Sequence, residues 1–291
     1  MSTETTTVAG TPEPEQTQTQ ALGAPHVPVF PPTPEAPAPK DRRVLHAALR
    51  WASAVVVFGA LAGATAYGVA EQRRADLPGL ATASDGRWTY PELVRPPLPK
   101  GSPAPFAPAN AAQAHYADPR ALVIKAPDGA KPDPGVKTDD GWVPTSVYVA
   151  QYAKDERDDL GQDLVDSGLR HIAGRGWTMP DGTTTRVFLL HFGTGAAATE
   201  FADRLTGGIT PSRSLAGAPD AELDESFPED AHVKNVAPYV YDETRPRGVT
   251  HVRSAYLIAG DTVGLVVQSR QGTARAVPFQ QTVVLQSQLL G

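Results

Sequence analysis

The chain contains no cysteine among its 291 residues, and this absence removes several kinds of chemistry. Without thiols the protein has no disulfide, no thiolate metal site and no cysteine nucleophile. It also lacks any run of lysine or arginine, and its formal net charge is −6. Nucleic-acid binding is therefore not expected, because no basic stretch is available to neutralise phosphates.

Short catalytic motifs are absent as well. The sequence has no GxSxG nucleophile elbow, no HExxH pair, no P-loop and no dinucleotide fingerprint. His171, His191 and His251 fall in predicted strands, where they would bind zinc only if the sheet brought them together. Half-exposed strand positions explain them more simply. We therefore predict no catalytic residue, no metal site and no cofactor.

An acidic stretch, residues 220–230, places six carboxylates in eleven residues. Calcium prefers such oxygen ligands, but the EF-hand spacing with its central glycine is missing, so a solvated loop is the favoured interpretation. Two carboxylates that are distant in sequence could meet in the fold and act as the catalytic pair of a hydrolase. An envelope hydrolase is therefore an alternative function.

What the chain does have is a run of twenty uncharged residues, WASAVVVFGALAGATAYGVA, at positions 51–70. A bilayer core about 30 Å thick needs about 20 apolar residues in a helix, so this run predicts a transmembrane helix over 44–70 with its apolar core at 51–70. A soluble core helix and a signal peptide cleaved after a small-x-small site are the alternatives. Four Lys or Arg lie just before the apolar core (Lys40, Arg42, Arg43 and Arg50) and two just after it (Arg73 and Arg74). This bias predicts a single-pass protein of the cell membrane, with a cytoplasmic N-terminus and an extracytoplasmic C-terminal part.

Within that run, Gly59 and Gly63 form a GxxxG pattern. Small residues on one face let two membrane helices approach closely, so a homodimer through this helix is a further hypothesis.

Proline divides the remainder of the chain. Nine of the 29 prolines precede Lys40, thirteen lie between Pro78 and Pro144, and seven follow. Since proline fixes φ and removes a backbone donor, the first two zones should be irregular or extended. We predict a disordered cytoplasmic tail at 1–43, a Pro/Ala-rich linker at 71–118 and a folded extracytoplasmic domain at 119–291.

The predicted domain contains the same succession of elements twice. Strand-like runs flank a turn at Pro180 to Gly182 and precede a helical pattern that ends at Gly207. A second pair of runs flanks Gly260-Asp261 and precedes the helical pattern AVPFQQTVVLQSQLL. Two ββα-like units predict an α+β fold, an antiparallel sheet with helices on one face. Whether they descend from a duplication or arose by chance is left open.

The segments RVFLLHFGTGAAATEFADRL and DTVGLVVQSRQGTARAVPFQQTVVLQSQLL carry a resemblance to actinobacterial single-pass membrane proteins. Their plan is similar to the extracytoplasmic sensor-like domains of some mycobacterial Ser/Thr kinases and related lipoproteins. Several relatives of that group contain disulfides, which this chain cannot form. The resemblance implies an extracytoplasmic α+β sensor domain and carries over no functional residue.

Two aromatic residues, Trp142 and Trp177, are candidates for lining a sugar or peptide groove, with core or rim packing as the alternative. The combined interpretation is a non-catalytic binding or sensing module of the cell envelope, anchored in the lipid bilayer. Its partner would be an unidentified envelope ligand or protein. A structural scaffold that acts through its tail or its span is the remaining alternative.

Overall fold

The computed structural model describes residues 42–71, 84–246 and 248–291. These residues belong to two separate units, one within Met1–Pro78 and the other within Gly79–Gly291. The predicted tail therefore lies almost wholly outside the described residues.

The first unit contains one long helix, α1 (Arg43–Glu71). Its segment Arg43–Thr65 has a hydropathy of 1.7 and is the single helix, among the described residues, that is long and apolar enough to cross a membrane. Two polar side chains bond to carbonyls of the helix itself, Ser53 to Arg50 at 2.9 Å and Thr65 to Leu61 at 2.7 Å. Such internal bonds suit a helix surrounded by hydrocarbon, where water is not available as a partner.

The second unit is built around a seven-stranded sheet in which every pair of neighbouring strands is antiparallel. The spatial order is β1-β2-β3-β7-β6-β5-β4. In chain order the strands are β1 (Lys131–Pro132), β2 (His171–Thr178), β3 (Thr184–His191), β4 (Glu222–Leu223), β5 (Ala237–Asp242), β6 (Thr250–Ala259) and β7 (Thr262–Gln271). The two predicted hairpins are confirmed as β2-β3 and β6-β7, and they meet where β3 pairs with β7.

Five α-helices accompany the sheet in the described part of this unit, so the predicted α+β class and antiparallel sheet are confirmed. They are α2 (Pro119–Leu122), α3 (Thr145–Val149), α4 (Arg157–Asp166), α5 (Gly195–Asp203) and α6 (Ala276–Leu290). Thr194 accepts a hydrogen bond from the backbone N–H of Ala197 and so begins α5 as a side-chain cap.

Helices lie on both faces of the sheet, and this corrects the expectation that they share one face. Alternate residues of a strand point to opposite faces, and Phe188 of β3 packs in one core cluster while its neighbours Val187 and Leu189 pack in the other. Phe201 of α5 belongs to the first cluster and Phe279 of α6 to the second. Side-chain periodicity shows that each helix has a buried stripe, but it does not show which face that stripe covers.

This placement also bears on the two ββα-like units. A rotation by 180° about an axis perpendicular to the sheet would superpose β2-β3 on β6-β7. After this rotation, α5 and α6 would still lie on opposite faces of the sheet. The two units therefore share their order of elements, but the arrangement of the helix relative to its hairpin has the opposite handedness in each. A simple tandem duplication would have preserved the hand.

Residues 84–118, here called the strap, pack against the sheet domain although the sequence assigns them to a linker. Trp88, Tyr90, Leu93 and Phe106 contact the cluster that contains Phe279. A proline-rich segment cannot form a helix, yet its apolar side chains remain free to pack while its backbone stays extended. The folded unit consequently begins well before the predicted boundary at residue 119.

Glutamine side chains of α6 hold this N-terminal region in place. The Gln281 amide accepts from the backbone N–H of Trp88 and donates to its carbonyl, both at 2.8 Å. The buried Gln286 amide accepts from the N–H of Ile124 and donates to the carbonyl of Leu122, both at 2.9 Å. Gln281 thus pairs with the backbone of the strap, and Gln286 with that of residues 122–124, as a neighbouring strand would.

A cluster of three buried tyrosines lies on the face that carries α3, α4 and α5. The Tyr152 hydroxyl is 2.7 Å from that of Tyr148 and 3.0 Å from that of Tyr256. Burial raises the pKa of all three hydroxyls. They are therefore neutral hydrogen-bonding groups that connect α3 to β6.

Candidate functional site

Trp142 lies at a groove where α4 ends and β2 begins. Residues 142 and 143 run beside the edge of β2, where the Val143 N–H donates to the carbonyl of Ile172 at 2.8 Å. The groove has a volume of about 280 Å³. Its lining consists of Trp142, Val143, Pro144, Thr145, Leu164, Val165, Leu169, Arg170, His171 and Ile172.

The indole of Trp142 is fixed by two neighbours. Its ring centroid lies 4.8 Å from that of His171, with 38° between the ring planes. The Arg120 guanidinium carbon lies 5.0 Å from the Trp142 centroid, a cation–π distance. A half-buried aromatic ring held in this way is a preformed surface for a ligand, because little side-chain freedom is left to lose on binding.

Arg120 is itself positioned by carboxylates. It donates to Asp118 at 2.7 Å from Nη2 and to the backbone carbonyl of Asp140 at 3.1 Å from Nη1. The Arg120 hydrogen bond holds the pKa of Asp118 below its ordinary value. Because Asp118 and Asp140 both offset its charge, Arg120 orients the indole and adds no net positive charge to the groove.

Basic side chains are the only titratable groups among the groove-lining residues, namely Arg170 and His171. Within the described residues, the Arg170 guanidinium makes no ion pair. The Arg170 backbone N–H donates to the carbonyl of His191 at 2.9 Å, which fixes this residue at the start of β2. The groove therefore combines a mainly apolar lining with two basic residues and no carboxylate.

Trp177, the second candidate groove residue, is fully buried. It packs in the same core cluster as Leu122, Val123 and Ile124. The sequence shows that Trp177 lies on a strand, but not that residues from outside the sheet cover it. Of the two tryptophans, Trp142 alone lines the groove.

The other sequence-based candidates do not come together as a site. His171 and His191 are directly paired across β2 and β3, whereas His251 lies on β6 and bonds to Asp242 at 2.8 Å. No group of three or more His, Asp or Glu side chains in the described part of the chain is arranged to hold a metal ion.

In the acidic loop, Asp224 has a structural contact, since it lies 3.3 Å from Arg253. Its neighbour Glu225 is exposed. Gly59 and Gly63 lie on α1, where a Cβ on either residue would meet nothing within 4 Å. Packing of a second helix on them stays a prediction.

Sequence reasoning missed Arg120 and Arg170. Arg170 directly precedes His171 at the start of a predicted strand, and this pair of basic residues was the available signal. Arg120 gives no comparable signal, because its contact with Trp142 joins residues far apart in sequence.

Comparison with known protein families and with curated proteins finds no match for this chain. Among solved structures, the extracellular domain of PknH from Mycobacterium tuberculosis is similar, with a TM-score of 0.31 and 11% sequence identity. The similarity covers 48% of this chain and 72% of that one. This neighbour is thus an extracellular domain of a mycobacterial kinase, and a score at this level supports no argument about function.

Proposed function

We propose that this chain is a membrane-anchored binding or sensing module, with α1 in the bilayer, the groove domain outside the cell and no catalytic role. The observation that carries the proposal is the groove at Trp142, whose indole is held in place by His171 and Arg120. Membrane anchoring is supported by the apolar helix α1, whose most apolar stretch is not buried.

A binding role fits the lining of the groove better than hydrolysis does. No Asp or Glu is among the lining residues, so the groove lacks the paired carboxylates that a glycoside hydrolase of the usual kind would place there. The ring of His171 is engaged by Trp142. An indole at the wall of an apolar groove is typical of recognition.

The absence of cysteine allows a direct test of orientation. We would express the full chain with a single cysteine, either Glu225→Cys in the exposed acidic loop or Thr17→Cys in the N-terminal region, and treat intact cells with a membrane-impermeant maleimide. We expect the Glu225→Cys variant to react in intact cells and the Thr17→Cys variant to react only after lysis. The reverse pattern would refute an extracytoplasmic domain.

A second arm tests binding. Full-length protein purified from its native membrane would be analysed by native mass spectrometry beside Trp142→Ala and the control Val249→Ala, which changes an apolar side chain that is 76% exposed. A small-molecule adduct present in wild type and in the control, but lost in Trp142→Ala, is expected. An adduct retained equally by all three proteins would place binding elsewhere.

A further inference from the structure

We propose that the groove at Trp142 takes a small amphiphile with an apolar body and one anionic head group, a carboxylate or a phosphate. This inference rests on the proposed function and specifies the chemical class of its ligand. Three properties of the groove lead to it: its apolar lining, the sign of its charge and its size.

The lining is predominantly apolar, and part of it is open to solvent. Leu164 is fully buried, while Val165, the next residue of α4, is 71% exposed at the lip. An exposed valine beside an indole and a leucine costs free energy in water, which an apolar ligand would recover on binding. The body of the ligand is therefore expected to lie between α4 and residues 142–145.

The two basic residues of the lining select the head group. Arg170 has no ion-pair partner among the described residues, and the groove lining contains no carboxylate. Asp166 follows Val165 on α4, but it accepts a hydrogen bond from Gln162 at 2.8 Å and does not line the groove. An anion can form charge-assisted hydrogen bonds with a guanidinium, whereas a cation would meet like charge.

The size of the groove limits the ligand. A volume of about 280 Å³ lies just below the usual range of roughly 300–1,000 Å³ for ligand pockets. A short acyl chain or a single aromatic body fits this space, and a long folded lipid does not.

The experiment uses the full chain in nanodiscs, with its four tryptophans replaced biosynthetically by 5-fluorotryptophan. The probes are octanoate, octyl phosphate, 1-octanol and octylammonium, which share one apolar chain and differ in head group. The 19F resonances report on separate regions: Trp142 on the groove, Trp51 on α1 and the buried Trp177 on the core. The Trp142 resonance is assigned by its loss in Trp142→Phe.

We expect saturable shifts of the Trp142 resonance with octanoate or octyl phosphate, at concentrations about tenfold lower than with 1-octanol or octylammonium. The preferred head group identifies a carboxylate or a phosphate ligand. Trp177 should not move, and a shift of Trp51 alone would report partition into the bilayer. The Arg170→Gln variant should lose the preference for the anionic probes, whereas the matched control Arg275→Gln, at an exposed arginine, should keep it.

Equal or stronger binding of octylammonium would overturn the inference, as would the absence of any Trp142 shift in protein whose Trp177 resonance is native. Should Arg170→Gln fail to fold, the series of head groups on the wild-type chain decides the question by itself. Failure of this test together with external labelling of Glu225→Cys would reject the ligand class and leave the extracytoplasmic topology standing. The reversed labelling pattern would reject the topology whatever the probes do.

Discussion

The backbone N–H and the ring of His115 both bond to the Asp261 carboxylate inside the folded unit, although 146 positions separate the two residues in sequence. The backbone N–H of His115 lies 3.0 Å from Oδ1 of Asp261, and its ring Nδ1 lies 2.7 Å from the same oxygen. The other ring nitrogen, Nε2, is 3.0 Å from the carbonyl of Leu290. One buried carboxylate thus connects the strap to the β6-β7 turn, and the imidazole extends the connection to the end of α6.

Removal of this carboxylate should strongly destabilise the fold. In Asp261→Ala, the imidazole and the amide of His115 lose a buried partner, and breaking a buried pair typically costs about 3–5 kcal/mol. We expect the free energy of unfolding, measured by urea denaturation of the full chain, to fall by about that amount. The control Glu225→Ala, in the exposed acidic loop, should change it by less than about 0.5 kcal/mol. Similar values for the two variants would contradict a structural role for Asp261.

Acid should weaken the fold through His191. Burial lowers the pKa of His191 below its ordinary value of 6.5, an effect that the nearby Asp261 opposes and the neighbouring His115, Arg170 and His171 reinforce. Well above pH 6.5 the ring is neutral in both states and contributes no pH dependence. As the pH falls below that value, the unfolded chain binds a proton that the native state resists, so stability decreases until the native ring is protonated too.

The measurement is the free energy of unfolding between pH 7.5 and 5 for wild type and His191→Gln. A glutamine does not titrate, so the variant should lose less stability over this interval. Parallel curves would show that His191 is not linked to folding.

The central tyrosine of the buried cluster should matter more than an isolated one. Tyr152→Phe removes the hydroxyl that contacts both Tyr148 and Tyr256, leaving two buried hydroxyls short of a partner. An unsatisfied buried group costs about 1–3 kcal/mol, so a destabilisation in that range is expected from chemical denaturation. Tyr239→Phe, at a half-buried position on β5, is the matched control and should have a smaller effect. An equal loss in both variants would indicate that the cluster adds no stability.

Detachment of the strap is predicted for Gln281→Ala. The variant loses both hydrogen bonds to the backbone of Trp88, each worth about 1 kcal/mol. Faster hydrogen exchange at the Trp88 amide, with little change at the central strands, is the expected result. Gln280→Ala alters the adjacent helix position and should leave that amide protected. If the Trp88 amide exchanges at wild-type rate in Gln281→Ala, other contacts hold the strap.

Much of the sheet could be predicted from sequence, because strand alternation and turn residues are local signals. The strands of both hairpins, with the cap at Thr194 and the stop after α5, follow from neighbours within a few positions. The strap could not be predicted in this way, since its partners Gln281 and Gln288 lie more than 150 positions away. Proline content correctly excluded helix and sheet there, but it gave no information about side-chain packing.

The candidate site likewise contains some residues that the sequence indicates and others that only the tertiary structure reveals. Trp142 is a candidate groove residue by its type and lines the groove beside β2, while binding of a sugar or peptide there stays a prediction. Trp177 has the same chemistry, yet it is fully buried in the cluster that also contains residues 122–124, and that burial is a tertiary feature. Arg120 gains its role from its contacts with Trp142 and Asp140, and Arg170 from its place in the groove lining, and a single sequence reveals neither.

The attachment of the strap to α6 has a mechanical consequence. A tensile load entering the domain at residue 84 would first reach the Trp88 backbone and its two bonds to Gln281, and then the Arg95 guanidinium on the carbonyl of Gln288. These hydrogen bonds would break one after another, whereas the hydrogen bonds along the ten-residue pairing of β6 and β7 would have to break together. The helix at the far end of the chain would therefore respond to a pull well before the sheet yields.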